Sequence, residues 1–89
     1  MHSQKYRLVK IDTERPQLVH TSILNKICYI AYLKVGERGW FLCEVVDEIE
    51  LPHRIHTSEI QNIEYTCDNQ VVVSTENTRY VFKVVSNEQ

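Results

Sequence analysis

The sequence predicts a mainly β protein: one small, strongly bent antiparallel sheet or open barrel of five or six strands, with at most one short helix. Three observations point there. Apolar and polar residues alternate with period two through the last third of the chain, as a pleated strand buried on one face requires. Asn and Asp, which tolerate the left-handed backbone of tight hairpin corners, sit between the alternating runs as Asp68-Asn69 and Glu76-Asn77. The chain's two glycines both fall in one four-residue stretch, "GERG", between two apolar runs.

Taken in order, residues 5–11 form a first strand, with Tyr6, Leu8 and Lys10 on one face and Arg7, Val9 and Ile11 on the other. Residues 12–26 are ambiguous. Pro16 stands where a helix can begin, and Leu18, Val19, Ile23 and Leu24 follow near helical spacing; a loop with a strand is the alternative, so an α+β fold stays open. In "ICYIAYLKV", Ile27, Tyr29, Ala31, Leu33 and Val35 share one face and Cys28, Ile30, Tyr32 and Lys34 the other. Both faces are apolar, which predicts a strand covered on two sides. The glycine turn reverses it into "WFLCEVVDE". After the break at Leu51-Pro52 comes a short strand, "HRIHTS", then three strands over about 60–66, 71–74 and 78–85. In the last, Tyr80, Phe82 and Val84 are the expected core face.

At 89 residues the chain has room for a single domain, residues 1–89, around one core. Its hydrophobic share of 43% and charged share of 25% are those of a globular domain rather than a disordered one. The apolar runs are too short to span a bilayer as a helix, and the first ten residues lack the apolar stretch of a secretory signal. The net charge is −2, with acids gathered at Glu44, Asp47, Glu48 and Glu50, so the basic footprint of a typical nucleic-acid binder is absent. Three cysteines, Cys28, Cys43 and Cys67, are an odd count with no CxxC, which reads as small hydrophobes in a reducing cytoplasm.

The tripeptide His-Thr-Ser occurs twice, at His20–Ser22 and His56–Ser58. A nucleophilic hydroxyl needs a base that reaches it in space, not beside it in sequence, and neighbouring strand residues point to opposite faces. The tripeptides therefore read as strand-end punctuation, hydroxyls bonding local backbone, and no catalytic residue is assigned. His53 and His56, with Cys43, Cys67 and His20, make a poor metal set, because ligands three apart diverge on a strand; no metal or cofactor is expected.

The run "RIHTSEIQNIEYTCDNQVVVSTENTRYVF" resembles small orphan proteins of mobile DNA, such as integron gene-cassette and phage-borne products. The positions carrying the resemblance are Thr57, Ser58, Ile60, Ile63, Thr75, Asn77, Thr78 and Tyr80. It implies a compact bacterial β-rich domain and transfers no catalytic residue.

Three functional classes follow. The first is a small binding module that self-associates, as a dimer, through strand edges or an apolar surface around Ile30, Tyr32 and Trp40, since so short a chain cannot cover both faces of residues 27–35. The second is a small barrel binding single-stranded nucleic acid, if aromatic rings meet a groove made by Arg7, Lys34, Arg38, Arg79 and Lys83. The third is a small enzyme, which predicts a deep pocket holding a perturbed group such as His56 or Glu44.

Overall fold

The computed structural model describes residues 5–14, 23–43 and 53–85. Six strands follow one another: β1 (Lys5–Thr13), β2 (Ile27–Tyr32), β3 (Arg38–Cys43), β4 (His53–Tyr65), β5 (Gln70–Thr75) and β6 (Thr78–Val84). Each pairs antiparallel with its sequence neighbours, and β1 pairs with β6, so the sheet closes into a barrel of order β1-β2-β3-β4-β5-β6. The mainly β expectation holds, and closure is complete rather than open. Every strand has two hydrogen-bonded neighbours, which removes the edge strand through which self-association was also expected. The helix expected within residues 12–26 falls mostly on 15–22, outside the described residues.

Four of the six ladders carry a register shift, those of β1–β6, β2–β3, β3–β4 and β4–β5. An extra residue in one strand sharpens its twist, which is what a sheet this narrow needs to curl onto itself. The shift between Ile30 and Tyr32 also breaks the alternation expected for residues 27–35. Ile30 pairs with the fully buried Phe41 and packs against the core, whereas Tyr32 pairs with Trp40 and is exposed.

The largest departure from the sequence reading is β4. The short strand "HRIHTS" and the strand at 60–66 are one continuous strand of 13 residues. Its first half pairs with β3 and its second half with β5, the exchange falling between Glu59 and Ile60. The His-Thr-Ser at His56–Ser58 is thus not a break between strands but lies inside one strand, just before it changes partner. Thr57 is buried there; its Oγ1 accepts the Gly39 amide at 2.9 Å and donates to the Ser58 carbonyl at 2.7 Å. A buried hydroxyl with both functions used is a stable corner. The first copy, His20–Ser22, lies outside the described residues.

The turns follow backbone chemistry. Asn69 adopts φ +62° between β4 and β5, and Gly36 adopts φ +91° between β2 and β3. Gly39 has a different reason to be glycine. A Cβ there would lie 2.6 Å from the Tyr32 carbonyl oxygen and 2.8 Å from Ile60 Cδ1, so the requirement is close approach of two strands rather than positive φ.

Side chains fill the interior. Leu8, Ile23, Phe41, Ile60, Val71, Val73, Tyr80 and Phe82 are buried, with Cys28 and Cys43 among them. Phe41 meets Phe82 edge-on at 5.1 Å between ring centroids and Tyr80 at 5.9 Å; Tyr6 meets Phe82 at 6.2 Å. Edge-to-face rings in contact add to the stabilisation that burial alone gives. Tyr80 and Phe82 are the core face of β6, as the alternation predicts.

Burial also pushes the Tyr80 phenol above its ordinary pKa of 10. A raised folded-state pKa means the contribution is intact below pH 10, where both states stay protonated, and is lost as pH climbs through the folded value, because the unfolded chain ionises first. Urea midpoints measured between about pH 9 and about pH 11 are expected to fall, and to fall less steeply in Tyr80→Phe. Equal slopes would mean that Tyr80 ionises as freely in the fold as in the unfolded chain.

Candidate functional site: the outer wall of β2, β3 and β4

With the interior packed, the side chains that can meet a partner are on the outside. Three outward rungs wind diagonally around the barrel. The first runs Gln70–Lys83–Arg7–Ile27, the second Lys5–Tyr29–Leu42–Arg54, and the third Tyr32–Trp40–His56. They are outward because they alternate with the inward rungs of Leu8 and Phe82, of Cys28 and Cys43, and of Ile30 and Phe41. No Asp or Glu occupies any of these positions, whereas four Lys or Arg side chains and three aromatic rings do.

At the centre of the wall, the Arg54 guanidinium lies over the Trp40 ring, 4.6 Å from its centroid. Arg54 is two residues from His56, Trp40's ladder partner, and on the same face of β4, so register brings the cation within reach of the ring. Such a pair is worth about 0.5 to 1 kcal/mol at an exposed site. His56 tilts against the same Trp40 ring, with centroids 6.4 Å apart. Tyr32, 39% exposed, extends the row on β2. Its hydroxyl donates to Glu37 Oε1 at 2.6 Å. That bond raises the Tyr32 phenol above its ordinary range and holds the Glu37 carboxyl below its own, with Lys34 helping to hold Glu37 down.

Of the three residues expected at an interaction surface, Tyr32 and Trp40 are adjacent on this wall and Ile30 faces the core. Of the five cations expected to line a groove, Arg7 and Lys83 share a rung. Arg38 is on β3 beyond Trp40, its Nε donating to the Thr57 carbonyl at 3.1 Å. Arg79 pairs across the ladder with Asp12, and Lys34 forms an ion pair with Glu37 at 3.5 Å. Sequence reasoning missed Arg54 and Lys5. The available signal was parity, since both reach the wall only through the register that sets β4 beside β3 and β1 beside β2.

The features an enzyme would need are not gathered at His56, which is exposed on the wall. Glu44 lies outside the described residues. A hollow of about 350 Å³ opens to solvent at the far end of the barrel, lined by Asp12–Glu14 and Ser74–Arg79. Its threonine hydroxyls are already engaged, Thr13 Oγ1 with Thr78 Oγ1 at 2.9 Å and Thr75 Oγ1 with the Thr78 carbonyl at 3.2 Å. Among the described residues, no three His, Cys, Asp or Glu side chains gather as metal ligands. No helix among them is long and apolar enough to cross a membrane.

No family model matches the chain, and neither a curated protein nor a solved structure matches it.

Proposed function

We propose that the protein is a small binding module that meets its partner on the outer wall of β2, β3 and β4, and that the partner is a second copy of itself. The observation supporting this is the contiguous Tyr32–Trp40–His56 row, set outward beside Leu42 on a barrel whose interior is already filled. Aromatic side chains that are half in water on a rigid sheet bury large area at small entropic cost when a partner arrives. The odd count of three cysteines with no CxxC supports a reducing compartment, the cytoplasm.

Trp40 is the chain's only tryptophan, so its fluorescence reports directly on this wall. Sedimentation at micromolar concentration is expected to show a dimer. Trp40→Ala, and the milder Tyr32→Ala, are expected to weaken it about tenfold or more, roughly 1.4 kcal/mol per factor of ten. A monomer across that range removes the self-association reading.

A second reading has its own observation. Arg54 shares the wall with Tyr29, Tyr32 and Trp40; Lys5, Arg7 and Lys83 continue its rungs onto β1 and β6, and no carboxylate sits on those rungs. Cations that track a backbone beside rings that stack on bases are the elements of single-stranded nucleic-acid binding. This reading requires salt-sensitive retention on a single-stranded oligonucleotide with quenching of Trp40 emission; no retention at low salt dismisses it.

A further inference from the structure

We propose that Cys28 and Cys43 are a reactive dithiol, oxidised by a hydroperoxide to a disulfide that ties β2 to β3. The two residues are direct partners in the β2–β3 ladder. Residues opposite one another on antiparallel strands have Cα atoms roughly 4.5–5.5 Å apart. That lies inside the range of roughly 4.4–6.8 Å that a disulfide spans. Both side chains point to the barrel interior, and their sulfurs are 3.2 Å apart in hydrogen-bond contact. Closing the bond asks for a shift of side chains, not of strands.

The chemistry balances with one co-reactant. The Cys43 thiolate attacks the peroxide; an S–O bond forms, the O–O bond breaks, and the departing alkoxide takes up a proton and leaves as an alcohol, or as water from hydrogen peroxide. Cys43 is then a sulfenic acid. The Cys28 sulfur attacks it, the S–S bond forms, the S–O bond breaks, and hydroxide leaves with the Cys28 proton as water. The dithiol gives up two electrons and the peroxide accepts them. The hydrogen bond with Cys28 lowers the Cys43 thiol's pKa against the opposing effect of burial, which favours Cys43 as the attacking sulfur.

Both cysteines are fully buried, so the peroxide enters when the wall opens locally. The β1–β2 ladder covers Cys28 and holds only three paired positions, against seven in β1–β6. The reaction is therefore slow and follows that opening. Cys67, exposed between β4 and β5, has no such opposite number and reacts by itself.

The test uses the full chain carrying Cys67→Ser, reduced, treated with hydrogen peroxide, alkylated under denaturing conditions and mapped by peptide mass. The expected product is a Cys28–Cys43 linked pair, lighter by two hydrogen atoms. It should form at a rate independent of protein concentration, revert with dithiothreitol and raise the thermal midpoint. Adding Cys28→Ser should abolish it and leave a Cys43 sulfenic acid that dimedone traps. Full alkylation of Cys28 and Cys43, after an exposure that oxidises Cys67 in the unmodified chain, would overturn the proposal. So would their separate conversion to sulfinic acids.

Discussion

Phe41→Ala is expected to remove a large part of the protein's stability. The ring has no exposed surface and touches Phe82 and Tyr80 edge-on, in the middle of a barrel only six strands around. Replacing a buried Phe by Ala costs about 3 to 5 kcal/mol, since the apolar transfer is lost and a cavity remains. A domain of 89 residues is stable by roughly 4 to 13 kcal/mol in all. The closed wall cannot relax inward to fill the hole, because every strand is held on both sides. Urea unfolding followed by Trp40 emission reads the loss. Phe41→Leu, which keeps most of the volume, is expected to cost about 1.5 kcal/mol and to stay folded. A Phe41→Ala midpoint near that of the parent would mean that the ring cluster is not the centre of the core.

Gly39→Ala is expected to cost about 3 kcal/mol. The new methyl would meet the Tyr32 carbonyl oxygen at 2.6 Å, and that oxygen is backbone, so β2 and β3 must separate. Overpacking of this kind costs about 1 to 3 kcal/mol. The same movement strains the buried bond from the Gly39 amide to Thr57 Oγ1, and a buried donor left unpaired costs about 1 to 3 kcal/mol more. Trp40 is the next residue, so its emission should shift as well. Gly36→Ala is the comparison: nothing lies within 4 Å of its Cβ position, and only the φ of +91° is penalised, by roughly 1 to 2 kcal/mol. Equal losses at the two glycines would contradict the close approach.

Much of this architecture was legible in the chain because it is local. Asn69 and Gly36 mark their turns by backbone preference, and the parity of Tyr80 and Phe82 names their face. What was not legible depends on where an extra residue interrupts a ladder. Ile30 and Tyr32 belong to one face by counting in twos, and the shift between them sends one to the core and the other to solvent. The same cause hid the continuity of β4, since a strand that changes partner at Ile60 looks in sequence like two strands and a corner. Arg54 over Trp40 and Cys28 against Cys43 are products of register between strands, and no periodicity within one strand carries that information.

The ladder between β1 and β6 joins the two most distant strands of the molecule through seven paired positions. On a ribosome, the partner of β1 is the last of the six strands to emerge, so the nascent sheet keeps one flank unsatisfied until β6 has been made. The ring therefore snaps shut late, at a cost in loop entropy that the hairpins do not share. Until that moment the first strand is a template for neighbouring nascent chains, and crowding on a polysome is the circumstance in which this fold is most vulnerable to aggregation.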